Sequence, residues 1–77
     1  MDEPLRDART LAIQLRDRVA ELIREDGLKP GDKLPTEAQL TQRFKISRPA
    51  IREALKLLEQ EDLIYVEHGR GRFVSAI

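Results

Sequence analysis

Cysteine and tryptophan are absent from the 77 residues, and histidine occurs once. Without cysteine there is neither a disulfide nor a thiolate metal site, so packing alone must hold the fold. A lone histidine, His68, with no cysteine or acidic cluster beside it, offers no basis for a metal site. Aromatic residues number three, one Tyr and two Phe, so the core has to be aliphatic. No apolar run approaches the length of a membrane span, and Met1–Thr10 is charged where a signal peptide would be apolar. There is no repeat and no low-complexity tract. No Ser/His/Asp arrangement, phosphate-cradling loop or paired acid stands out. The sequence therefore predicts a cytoplasmic protein with no membrane partner, no cofactor, no catalytic residue and no enzymatic activity.

Net charge is also lacking: 14 basic residues balance 14 acidic ones. A neutral total argues against a polyanionic partner, but distribution matters more than the sum. Residues 1–32 carry six Lys/Arg against eight Asp/Glu, whereas Arg43, Lys45, Arg48, Arg52 and Lys56 face Glu53 alone between positions 43 and 56. Taken in isolation, such a cluster is more often a solvated helix face than a binding site.

A chain of this length makes one small domain that buries only about 60% of its unfolded surface. Leu11, Ala12, Leu15, Val19, Leu22 and Ile23 recur at three- and four-residue steps, predicting a helix from near Thr10 to Asp26. Ile13 lies off that stripe, either exposed or against a partner. Gly27 is the natural stop, Lys29-Pro30-Gly31-Asp32 makes a turn, and Lys33-Leu34 can pair as a very short strand. Thr36-Glu37-Ala38-Gln39 fits a capping box opening a short helix that ends near Phe44, with Leu40 and Phe44 facing inward. Ser47 caps a third helix, Arg48 and Pro49 occupy its first turn, and Ile51, Ala54, Leu55 and Leu58 form its buried face; Asp62 ends it. Leu63–Glu67 and Arg72–Ser75 are β-rich and flank His68-Gly69-Arg70-Gly71, a hairpin with glycines at the turn.

The predicted fold is mainly α with a small β-hairpin: three helices plus a two- or three-stranded antiparallel sheet, a winged helix-turn-helix. It spans residues 8–77, with the helix-turn-helix at about 37–56 and the wing at about 63–76. An α-helix fits the DNA major groove, and residues near its N-terminus reach base edges. Arg48 and Arg52, one turn apart, can each present a planar fork to guanine O6 and N7. Ser47 and the first-turn N–H groups favour a phosphate. In the hairpin, Gly69 and Gly71 permit close backbone approach, and Arg70 and Arg72 suit a narrow minor groove. Glu37 and Glu53 flank the basic face; they read as groups that orient arginines or exclude wrong registers. Lys56 is either a phosphate contact or solvated, and Tyr65 is packed in the wing more readily than bound to phosphate.

Three stretches, Leu28–Thr36 (LKPGDKLPT), Ser47–Leu55 (SRPAIREAL) and His68–Val74 (HGRGRFV), resemble the signature blocks of the GntR family of bacterial transcription regulators, in sequence and in spacing. The resemblance covers about Leu11 to Val74. It implies an N-terminal winged helix that binds a short palindromic double-stranded DNA operator, mostly in a repressor and as a homodimer. It further implies a C-terminal domain, absent from this chain, that takes a small-molecule effector; the abrupt end at Val74–Ile77, directly after an apparent strand, reads as a domain cut from something longer or as a minimal unit. By that resemblance Arg48 and Arg52 read bases or bind phosphate, Ser47 and Thr36 contact phosphate, and His68, Gly69 and Arg70 form the wing tip at the minor groove. Pro49 and Ala50 stand where many members carry small hydroxyl residues, so Pro49 is expected to pack on a thymine methyl. Ala38 replaces a DNA-directed arginine, Lys45 a turn glycine, and Asp62 a glycine after the third helix. The alternative reading is a winged helix used for protein–protein contact.

Overall fold

The computed structural model describes residues 8–76, with Met1–Asp7 and Ile77 outside the described residues. Three helices, α1 (Ala8–Glu25), α2 (Glu37–Phe44) and α3 (Arg48–Gln60), precede strands β1 (Ile64–Glu67) and β2 (Gly71–Val74). The α1 helix starts two residues before the expected Thr10 and stops one before Asp26; helix ends are where periodicity is least informative.

Each helix ends in a left-handed residue that returns the chain: Gly27 (φ 67°), Lys45 (φ 57°) and Asp62 (φ 61°). After α1, Leu28 N–H donates to the Ile23 carbonyl (2.9 Å) and Gly27 N–H to that of Arg24 (3.1 Å), a Schellman arrangement. The same pair recurs after α3, from Leu63 to Leu58 and from Asp62 to Glu59, both at 3.0 Å. After α2, Lys45 and Ile46 both donate to the Thr41 carbonyl. Asp tolerates this conformation better than Lys, whose Cβ and stem gain nothing there.

Strands β1 and β2 pair antiparallel with Tyr65 opposite Phe73 and Val66 opposite Arg72. The expected short strand at Lys33-Leu34 is present as a bridge to β2: Leu34 N–H donates to the Arg72 carbonyl and Val74 N–H to that of Asp32. Gly71 suits this position because its φ of 119° is one that L side chains rarely adopt; the end of the Lys33 side chain, 2.8 Å from where a Cβ would sit, could swing away.

The core is aliphatic, as the shortage of aromatics demands. Val19 and Leu22 of α1, Leu34, Leu40 of α2, Ile51, Leu55 and Leu58 of α3, and Ile64 and Val74 of the hairpin form one buried cluster. Each such side chain contributes on the order of 1.5–3 kcal/mol by leaving water. Phe44 is half-buried, with the Arg18 guanidinium 5.1 Å above its ring. Ile13 is exposed, which agrees with its place off the apolar stripe.

Lys45→Gly should stabilise the domain by about 0.5–1 kcal/mol, the left-handed strain relieved exceeding the chain entropy glycine adds. Urea unfolding measures this; a lower midpoint would mean the lysine stem makes a compensating contact.

Candidate nucleic-acid interface

The turn that sets α3 against α2 is Lys45–Ser47. Ser47 caps α3, its hydroxyl oxygen accepting from Ala50 N–H at 3.4 Å, and Pro49 lies in the first turn. The capping box on α2 is complete: Gln39 N–H donates to Thr36 Oγ1 (3.1 Å) and Thr36 N–H to Gln39 Oε1 (2.8 Å). In both caps the hydroxyl acts as acceptor, so its own proton remains to be donated outward. Thr36 and Ser47 are both exposed.

On α3 the buried residues are Ile51, Ala54, Leu55 and Leu58, all four of those expected. Arg48, Arg52 and Lys56 are exposed along another stripe. Neither Arg48 nor Lys56 forms an ion pair among the described residues, whereas Arg52 Nε donates to Glu37 Oε1 at 3.1 Å. That bond uses Nε and leaves the two terminal nitrogens of Arg52 for another partner.

The wing does not present both of its arginines. Arg70 is 73% exposed at the tip, paired with Glu67 at 3.3 Å and lying 5.9 Å from the Phe73 ring centre. Arg72 instead turns inward, 25% exposed, with Nη2 at 3.3 Å from Glu37 Oε2 and Nε at 3.2 Å from Glu59 Oε2. The expectation that Arg72 serves as a free wing cation is therefore corrected: two carboxylates claim it. Arg43 likewise leaves the basic cluster, its guanidinium held by both oxygens of Asp26. Tyr65 stacks on Phe73 with ring centres 5.6 Å apart, so it packs within the wing.

Thr36, Glu37 and the wing tip His68–Arg70 line one cleft. Pro49 and Arg52 line a neighbouring groove with Lys56 and Arg72. Ser47, Pro49 and Ala50 border a third, more apolar depression with Leu57 further along α3 and Leu11 of α1. Arg48 lines none of these and is exposed. Among the described residues no three His, Cys, Asp or Glu side chains gather as metal ligands, and no helix is long and apolar enough to cross a membrane.

What residue spacing missed is the Glu37 junction, because Glu37, Arg52 and Arg72 lie on three separate elements. Of the two flanking acids, Glu37 does hold arginines; Glu53 makes no such contact among the described residues. Partial burial of Glu37 favours its neutral form, but the Arg52 hydrogen bond, then the charges of Arg52 and Arg72, prevail and hold its carboxyl below the ordinary glutamate range.

This architecture defines a winged helix-turn-helix. The model of the gntR family of bacterial regulatory proteins matches residues 11–74. The mannosyl-D-glycerate transport/metabolism system repressor MngR of Escherichia coli (strain K12) is 41% identical over 62 residues, covering 80% of this chain and 26% of that protein. The arabinose metabolism transcriptional repressor of Geobacillus stearothermophilus is 38% identical over 63 residues, 82% of this chain and 17% of that one. The chain thus spans about a quarter or less of the length of these curated relatives. Among solved structures, Streptococcus agalactiae GntR superposes with a TM-score of 0.81 at 34% identity over 84% of this chain and 32% of that one. AraR(DBD) in complex with operator ORR3 gives 0.76 at 34% identity, over 84% and 78% of the two chains. The chain belongs to the gntR family of bacterial regulatory proteins, and its fold is that of the family's winged-helix DNA-binding domains.

A carboxyl whose folded value is depressed stabilises the fold above its unfolded value, and that contribution is lost as pH falls through the folded one. Urea unfolding across the acid range should therefore show wild-type stability falling more steeply below the ordinary glutamate range than that of Glu37→Gln. Parallel curves would mean that the junction contributes nothing.

Proposed function

We propose that this domain binds a short palindromic operator sequence-specifically, with α3 in the major groove and the wing at the minor groove, as part of a repressor. The observation that carries this is the Glu37 junction, which joins the base of α2, the exposed face of α3 and the wing, so that Arg52 and the wing tip serve one DNA surface. In this reading Arg48 and Arg52 reach base edges, and Thr36 and Ser47 donate to phosphates. Pro49 packs against a thymine methyl, Ala50 allows close approach, and His68, Gly69 and Arg70 enter or flank the minor groove. Ala38 leaves out a contact made by an arginine in many members.

Two relatives named as repressors and a structural neighbour bound to an operator support the repressor reading. Binding as a homodimer, control by a small-molecule effector through a C-terminal domain, and action on DNA in the cytoplasm complete the proposal for the whole regulator. The domain acts by binding, not by catalysis.

Selection from random duplexes should enrich a palindrome, and affinity for it should fall with salt by a log–log slope of about −0.9 per phosphate contacted. No enrichment, or salt-independent binding, would favour a protein-contact module instead. Arg48→Ala should cost about 1–3 kcal/mol on the selected site and relax one base position per half-site. Arg70→Ala should weaken all duplexes more evenly; equal, sequence-independent losses for both variants would contradict the assigned roles.

A further inference from the structure

The Glu37 carboxylate has two oxygens and two guanidinium partners. Oε1 accepts from Arg52 Nε at 3.1 Å, and Oε2 faces Arg72 Nη2 at 3.3 Å. Arg72 is in turn fixed from its other edge by Glu59 Oε2 at 3.2 Å. The result is an ordered row, Glu59, Arg72, Glu37, Arg52, running from α3 through the wing to the start of α2 and back to α3.

Burial within this row is graded. Glu37, Arg72 and Glu59 have side chains 20%, 25% and 33% exposed, while Arg52 is 59% exposed. The inner three are shielded enough for their mutual attraction to exceed that of a surface pair, and the outer member is accessible. The backbone of Glu37 is fixed as well, because it is the first residue of α2 behind a closed capping box. A carboxylate at that helix end is also favoured by the dipole. A long arginine side chain would otherwise lose several rotamers on meeting a base; one held by Nε has lost them already.

We infer that Glu37 and Arg72 are specificity-determining positioning residues: held by Arg72, Glu37 grips Arg52 at Nε and aims its terminal nitrogens at a base edge. Neither Glu37 nor Arg72 touches DNA in this arrangement. A wing residue thus sets what the recognition helix reads. The inference rests on the operator-binding reading above.

A glutamine at 37 offers one acceptor and turns an N–H₂ donor toward the other arginine, so it cannot serve both. Selection from random duplexes is run on wild type, Glu37→Gln, Arg72→Met, Arg52→Ala and the Glu37→Gln/Arg52→Ala double variant. Affinities for the wild-type-selected site and for a scrambled duplex follow. Glu37→Gln and Arg72→Met should relax the same base position that Arg52→Ala relaxes. Glu37→Gln should cut the ratio of specific to non-specific affinity by about tenfold or more, as expected for loss of one bidentate base contact. In the Arg52→Ala background it should change that ratio less than about twofold, because the group it positions is gone.

An unchanged ratio with tighter binding to every duplex would overturn the inference, showing that Glu37 merely repels phosphate. An equal fall of the ratio in both backgrounds would overturn it too, showing a general structural effect. Should wild type itself enrich no sequence, it is the operator reading that fails, not the positioning role alone. If the variants unfold, the Arg52 Nε–H resonance of wild type decides. Slow solvent exchange that persists in the complex with the selected duplex supports the grip, and loss of that protection on binding overturns it.

Discussion

The third helix must satisfy two demands with one cylinder: it supplies the centre of the core and the surface offered to solvent. Ile51, Ala54, Leu55 and Leu58 meet the first, and α1, α2 and the hairpin all pack around them. In a chain without disulfides this buried stripe is the chief support of the fold, and it fixes the rotation of α3 about its own axis. Arg48, Arg52 and Lys56 then have no choice of direction. The same aliphatic contacts that hold the domain together therefore also aim its basic side outward, and a repacked core would turn that side as well as loosen it.

Electrostatics refine what packing sets. Two of the five cations between Arg43 and Lys56 are already engaged, Arg43 by Asp26 and Arg52 by Glu37, and in the wing Arg72 is held by Glu37 and Glu59. Net charge is zero, so it is the placement of the pairs that shapes the basic face, and exposed pairs such as Arg70 with Glu67 add little stability. Their effect is to sort the arginines. Some become struts between elements, and Arg48 and Arg70 are left at the periphery.

Much of this was legible in the residues. Helical periodicity placed the α3 core positions, the Thr36 and Ser47 caps marked two helix starts, and the left-handed residue at 45 followed from the place where the family carries glycine. These are local features, and local features survive in a linear reading. The fates of Arg43 and Arg72 were not legible, because their partners lie on other elements and no spacing rule connects them. Charge counting treated every lysine and arginine between 43 and 56 as available. Tertiary pairing removed some from that tally and gave Glu37, a residue of the first turn of α2, its place at the junction. The resemblance to the gntR family supplied the candidate contacts, while the geometry separated Arg70 from Arg72.

The bridge between Asp32–Leu34 and β2 links two distant parts of the chain mechanically. Gly31 N–H donates to the Val74 carbonyl, Val74 N–H to that of Asp32, and Leu34 N–H to that of Arg72. A pull along β2 at Ser75 is loaded in shear onto these bonds and delivered to Leu34, immediately before Pro35 and the Thr36 cap. The end of β2 and the residues that lead into the opening turn of α2 are therefore tied into one hydrogen-bonded unit that includes the wing.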